Sequence, residues 1–102
     1  MPEPVCRFLE LLRESDNPRL RDAFRRTTPQ EERAFEIIDQ LYAGSTDPSL
    51  IAELGRYVPN LPQGQTPDAM AFYAEGVLEG QIARRNGVEN DLAEFLKEFG
   101  QR

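Results

Sequence analysis

The placement of proline constrains the fold of this chain more than any other sequence feature. Four of the eight prolines follow a residue that caps helix N-termini well, in the pairs Asn17-Pro18, Thr28-Pro29, Asp47-Pro48 and Thr66-Pro67. A capping side chain accepts a hydrogen bond from a free N–H of the first turn, and proline at the first helical position lacks an N–H that would be unpaired there. These pairs therefore predict four helix starts rather than four breaks, and Glu31, three residues after Thr28, completes a capping box.

Apolar residues recur at helical spacing after each of these starts. Gly44, Gly87 and Gly100 each follow such a stretch and suit the left-handed conformation that ends many helices. No segment alternates apolar and polar residues for long enough to predict a strand. The pattern predicts six helices, at about 3–15, 18–26, 29–43, 48–58, 67–86 and 90–99, with one irregular loop at 59–65.

The predicted fifth helix indicates how the others are arranged. Residues 69–74 are apolar on all sides, which suits a helix surrounded by other helices. On a helical wheel, one apolar face is formed by Met70, Tyr73, Ala74, Val77 and Leu78. A chain of 102 residues supports one hydrophobic core. We therefore predict an all-α fold, with residues 1–102 as a single helical domain: a bundle of about six helices packed around the long central fifth helix.

A second side of the fifth helix carries small residues. Its two interior glycines, Gly76 and Gly80, each cost about 1 kcal/mol relative to alanine, so a compensating close approach of another helix is expected. That helix belongs either to the same chain or to a second copy, and a ligand lying against the glycines is the third alternative. The predicted helix-contact or dimer residues are Ala69, Phe72, Gly76, Gly80 and Ala83.

The composition removes most catalytic chemistry. The chain has no histidine, which excludes His-based triads, Cys–His dyads and metal sites that use histidine. The single cysteine, Cys6, is predicted to be a small core or boundary residue of the first helix. No glycine-rich phosphate-binding loop occurs. We therefore expect a protein that is not an enzyme, without catalytic residues, cofactor or metal.

Carboxylates are the remaining candidates for chemistry. Three pairs lie one helical turn apart: Glu10 and Glu14, Glu75 and Glu79, Glu94 and Glu98. Such pairs could hold Mg²⁺ or Ca²⁺, as in a carboxylate–metal hydrolase, but solvated helix faces are the favoured interpretation. The segment 36–39 fits one half of the motif pair of MazG-type nucleotide pyrophosphatases, and the Glu-x-x-Glu half that should precede it is missing.

The net charge of −6 is unevenly distributed along the chain. Residues 27–82 hold nine acids and two arginines, a balance that repels nucleic acid and anionic membranes. The predicted second helix is locally basic, with only Asp22 opposing four arginines: Arg19, Arg21, Arg25 and Arg26. These arginines either pair with the acidic middle of the same chain or form a docking patch for an anionic partner.

Two segments resemble a DNA-binding family. Residues 28–38 resemble the opening of LuxR-type helix-turn-helix domains, which start with Thr-Pro-x-Glu and an apolar helix, and residues 50–55 resemble their second helix. The resemblance implies a DNA-binding regulator. The chain departs from that pattern after Gly55, where a recognition helix should follow a short turn but the loop at 59–65 intervenes. The helix after the loop opens without basic side chains.

The leading hypothesis is a small, acidic, non-enzymatic protein-protein interaction module of adaptor, inhibitor or regulatory type, with a homodimer as one form of partnership. The alternative is a DNA-binding or transcription-associated regulator with a degenerate helix-turn-helix, followed by a carboxylate–metal hydrolase. We expect the partner to be another protein, bound through the four arginines, rather than nucleic acid or a membrane.

Cytoplasmic localisation is expected from three features of the sequence. A single cysteine cannot form an intrachain disulfide, the start Met1-Pro2-Glu3-Pro4 lacks the pattern of a signal peptide, and the longest apolar run is six residues. A membrane-spanning helix needs about 20 residues.

Overall fold

The computed structural model describes residues 8–100, without the side chains of residues 99 and 100. Within this range the chain forms six helices and no strand. The helices are α1 (Leu9–Arg13), α2 (Pro18–Arg25), α3 (Pro29–Tyr42), α4 (Pro48–Tyr57), α5 (Pro67–Asn86) and α6 (Glu89–Gly100). The predicted all-α bundle of six helices is confirmed. The predicted helical positions of residues 3–7, including Cys6, lie outside the described residues.

The four predicted N-caps are confirmed by their hydrogen bonds. Thr28 and Thr66 each accept a bond from the N–H three residues further on, and Asp47 accepts one from the N–H of Ser49. Asn17 accepts bonds from two N–H groups of the first turn of α2. At α3 both halves of the capping box are present. The helix starts thus follow from short-range hydrogen bonding that the sequence encodes locally.

Several helix ends differ from the prediction. The first helix ends at Arg13 rather than residue 15, because the chain must become extended before Asn17 can cap α2. Gly44 and Gly87 take positive φ values of 95° and 67° after α3 and α5, as predicted. The predicted helix stop at Gly100 is wrong, because α6 extends through that residue.

Helix α5 lies at the centre of the bundle and packs against α2, α3 and α6. Its buried apolar side chains join a core to which all six helices contribute. The predicted apolar face of α5 is only partly right, because Tyr73 is exposed and its hydroxyl donates to the carbonyl of Pro59. Ala71 and Ile82, which that face left out, are fully buried. No helix of the described chain is long and apolar enough to cross a membrane.

We expect the Thr66→Ala substitution to lower the free energy of unfolding by about 1 kcal/mol. The Thr66 hydroxyl accepts the N–H of Ala69 at 3.2 Å, and Thr66 is exposed, so its removal costs a cap with little packing. Urea unfolding followed by circular dichroism measures the change. Thr66→Ser keeps the accepting oxygen and is the matched control, and an equal loss in both variants would contradict the capping role.

Candidate functional site

An apolar groove runs beside α5, between the start of α1 and helix α6. Its volume is about 340 Å³. Phe72, which is 53% exposed, and Leu96, which is 37% exposed, are two of the four large apolar side chains that the described chain leaves exposed. We call this feature the α5 groove; its lining residues are Phe8, Phe72, Glu75, Gly76, Glu79 and Leu96.

Two buried carboxyl groups lie on the α5 side of this groove. Glu75 is 1% exposed and Glu79, one turn further along α5, is 3% exposed. The interpretation of this pair as a solvated helix face is therefore wrong. Glu10, Glu14, Glu94 and Glu98, which share the same spacing, are exposed as that interpretation expects. The difference arises because α3, α6 and the start of α1 cover only the Glu75 pair.

Glu75 is held by donors from two other parts of the chain. Its Oε2 accepts the backbone N–H of Phe8 at 2.8 Å, and its Oε1 accepts the hydroxyl of Tyr42 on α3 at 2.7 Å. Glu75 therefore serves as an acceptor that joins α5 to α3 and to the residue preceding α1.

Glu79 has a different environment on the same helix. Burial raises the pKa of Glu79 to about 9, and the neighbouring Glu75 adds to this shift through charge repulsion and a hydrogen bond. Its Oε2 is buried and has no hydrogen-bond partner among the described residues. Glu79 is therefore protonated at neutral pH, and one of its carboxyl oxygens lacks a donor within residues 8–100.

The structure separates the residues predicted for a helix contact or dimer. Phe72 and Gly76 line the α5 groove, and Ala69 lies exposed near the start of α5. Gly80 is half-buried, while Ala83 is fully buried in the core. Among the described residues, no other helix of the same chain closely approaches the two glycines, while the alternatives of a second copy or a ligand stay predictions. A Cβ atom added at Gly76 would meet no described atom within 4 Å, and one at Gly80 would meet only the Arg84 side chain at 3.5 Å.

We expect Gly76→Ala to raise the free energy of unfolding by about 0.5–1 kcal/mol, because alanine favours the helix and the described chain leaves room for its methyl group. Thermal unfolding of the purified protein measures this gain. Gly87→Ala is the matched contrast, since Gly87 has φ of 67° and alanine there is strained. A loss of stability in Gly76→Ala would mean that this face of α5 is covered in solution.

The four arginines predicted as a docking patch are divided between two edges of α2. Arg19 donates to Asp91 on α6 and to the carbonyl of Gly87, at 3.4 Å and 3.1 Å. Arg25 donates to the carbonyl of Arg13 at 2.9 Å, and Arg21 lies 3.7 Å from its neighbour Asp22. Arg26 is exposed and lines a depression beside Arg19.

Other arginines pair with some of the acids in the acidic middle of the chain. Arg33 binds Glu53 through two hydrogen bonds of 2.7 and 2.9 Å, which lower the pKa of that carboxyl. Arg85 forms a bidentate pair with the buried Glu31, whose Oε2 and Oε1 accept from its guanidinium group at 2.7 and 2.8 Å. Arg19 and Arg25 instead donate to groups outside residues 27–82, so intrachain pairing with the acidic middle is wrong for these two arginines.

A second cleft lies on the other side of α6, beside the turn between α1 and α2. It has a volume of about 430 Å³ and combines the exposed Leu11 with the half-buried Phe95. Five acids line it: Glu14, Asp16, Asp91, Glu94 and Glu98. Within residues 8–100 no group of three or more Asp, Glu or Cys side chains is arranged to hold a metal ion.

The chain matches no protein-family model, no curated protein and no solved structure. The α5 groove is therefore characterised by its own geometry. Sequence reasoning identified Phe72 and Gly76 and missed Phe8, Leu96 and the buried state of the two acids. One signal for the acids was available, because Glu75 lies in register with Ala71, Leu78 and Ile82 on the buried face of α5.

Proposed function

We propose that this chain is a non-enzymatic protein-interaction module of adaptor, inhibitor or regulatory type, and that a partner protein docks in the α5 groove. The observation that carries the proposal is the exposure of Phe72 and Leu96 on opposite sides of an apolar groove. Clustered exposed apolar side chains mark interaction sites more often than isolated ones do. The cytoplasm is the proposed compartment, in keeping with a single cysteine.

The groove supports docking better than the arginines of α2 do. Arg19 and Arg25 already donate to acceptors within the chain, so a partner would have to compete for them. Phe72 and Leu96, by contrast, are 53% and 37% exposed and so present apolar surface to a partner. Large apolar and aromatic side chains at the centre of an interface contribute most of the binding free energy.

A pull-down tests the proposal: the chain is immobilised, and the proteins that it retains from a host extract are identified. The wild type is compared with three variants. Phe72→Ser removes the most exposed side chain of the groove. Leu11→Ser is the matched control, because Leu11 is 43% exposed but lines the acidic cleft instead. The double variant Arg25→Glu/Arg26→Glu tests the α2 arginines. We expect a protein retained by the wild type and by the last two variants, and lost with Phe72→Ser.

Two results would contradict the proposed site. A protein retained equally by Phe72→Ser would exclude the groove, and one lost only with the arginine double variant would move the interface to α2. Light scattering of the purified chain examines self-association, and a dimer that Phe72→Ser dissociates would make a second copy the occupant. A strict monomer that retains no protein overturns the proposal.

Titration with duplex DNA at low and at physiological salt addresses the alternative of a DNA-binding regulator. Binding through phosphates must weaken steeply with salt, because counterions are released. The chain's net charge of −6 opposes this binding, and the arginines at positions 19, 21, 25 and 26 form the basic cluster that the alternative would use. No binding at low salt removes this alternative.

A further inference from the structure

Glu79 presents an unmet hydrogen-bonding requirement at the α5 groove. Glu79 is only 3% exposed and lines the groove. Its Oε2 has no hydrogen-bond partner among the described residues. Buried polar atoms are paired in most folded proteins, because an unpaired one has lost its water without replacement. Within the described part of the chain, this oxygen lacks a donor that reaches it from the groove.

The surroundings of Glu79 indicate the chemistry of that donor. The rest of the described lining consists of Phe8, Phe72, Gly76, Leu96 and the second acid, Glu75, with no basic side chain. A cation is favoured over a neutral donor beside two carboxyl groups, and aromatic rings attract cations through their faces. The apolar walls fit a hydrocarbon chain that carries the cation inward.

We propose that the α5 groove receives a lysine side chain of the partner protein, whose ammonium group donates to Glu79 Oε2 while its methylene stem lies against Phe72 and Leu96. Lysine fits better than arginine, because the broad guanidinium group would bring five N–H donors between apolar walls. This inference rests on the proposed function, since it requires the groove to be the docking surface.

Binding of this kind moves one proton. Burial keeps Glu79 a neutral carboxylic acid, and an arriving ammonium group favours the carboxylate, so the proton of Glu79 passes to solvent. The titratable groups around Glu79 are Glu75 on the same helix and the Tyr42 hydroxyl on α3, which donates to Glu75. The lining residues from α6 and from the start of α1 are apolar. Affinity for the lysine side chain therefore rises with pH while Glu79 is protonated, by at most about tenfold per pH unit.

Two capped tripeptides serve as probes: acetyl-Leu-Lys-Leu-amide, and acetyl-Leu-norleucine-Leu-amide, which lacks the ammonium group. Chemical-shift titration of the ¹⁵N-labelled chain locates binding and gives both dissociation constants at two pH values. We expect the lysine peptide to bind about tenfold more tightly, with shifts at the amides of Phe72, Gly76 and Leu96. The preference should grow with pH and should vanish in Glu79→Gln, while the exposed Glu94→Gln on α6 should retain it.

The outcomes separate failure of this inference from failure of the proposed function. Equal affinities of the two peptides at the groove, or a lysine preference that survives in Glu79→Gln, would overturn the lysine assignment and leave the groove as a docking site. If neither peptide perturbs the groove amides, the groove is not the docking surface and both proposals fail. The amide spectrum of Glu79→Gln verifies that this variant is folded.

Discussion

Replacing Glu79 with glutamine is expected to raise the free energy of unfolding at about pH 8 by roughly 2 kcal/mol or more, and to flatten its dependence on pH. Glutamine keeps the size and shape of the protonated acid that Glu79 is in the folded chain. The substitution removes the cost of keeping a proton on a group that would ionise freely in water. The exposed Glu94→Gln should change the stability little.

The sign follows from the direction of the pKa shift. The pKa of Glu79 is about 9 in the folded chain, against an ordinary value of 4.5. Between these values the unfolded chain has released this proton and the folded chain still holds it, so stability falls as pH rises, by at most about 1.4 kcal/mol per pH unit. Urea unfolding at several pH values between about 5 and 8 measures the slope. Parallel curves for wild type and Glu79→Gln would contradict a buried, protonated Glu79.

Glu75→Gln provides a contrast on the same helix. Glu75 accepts the Phe8 N–H and the Tyr42 hydroxyl through different oxygens. Glutamine offers only one accepting oxygen, so one of these donors would face an amide NH₂ group. The same chemical change one turn apart is therefore expected to stabilise the chain at Glu79 and to destabilise it at Glu75. This difference isolates the hydrogen-bonding environment of each carboxyl group from the general effect of replacing glutamate with glutamine.

The helix starts could be predicted from sequence because their causes are local. Asn17, Thr28, Asp47 and Thr66 accept N–H groups only two or three residues away, so each cap is encoded within one turn. The central position of α5 also followed from its length and from the apolar segment at residues 69–74. No long-range contact had to be known for either inference.

The burial of Glu75 and Glu79 at the α5 groove could not be predicted in the same way, because it depends on tertiary packing. The spacing of Glu75 and Glu79 is identical to that of the exposed Glu94 and Glu98 on α6. Among the described residues, the packing of α3, α6 and the residue before α1 decides which pair is buried. The in-register position of Glu75 between Ala71 and Leu78 gives a hint, but an amphipathic pattern treats any charged residue as solvated.

A second large effect is expected at Arg85, where substitution by alanine should lower the free energy of unfolding by about 2–3 kcal/mol. Arg85 joins three helices, because it binds Glu31 at the start of α3 and the carbonyl of Arg26 at the end of α2. Glu31 is 2% exposed, so loss of Arg85 leaves a buried carboxylate with only Gln81 and the Thr28 N–H as donors. Orphaning a fully buried charge costs about 3–5 kcal/mol, and the 39% exposure of Arg85 reduces that figure.

Arg84→Ala is the matched control for Arg85→Ala, since Arg84 is the adjacent exposed arginine of α5 and forms no ion pair with the described residues. Adding Glu31→Gln to Arg85→Ala should recover part of the loss, because it removes the orphaned charge.

Burial opposes the ionisation of Glu31, but its hydrogen bonds, led by those from Arg85, outweigh burial and lower its pKa. The contribution of the pair is therefore present above about pH 4.5 and is lost as pH falls through the lowered pKa. The loss in free energy of unfolding in Arg85→Ala should exceed that in Arg84→Ala and should become smaller at acid pH. If either expectation fails, the bidentate pair of Arg85 and Glu31 does not hold α2, α3 and α5 together.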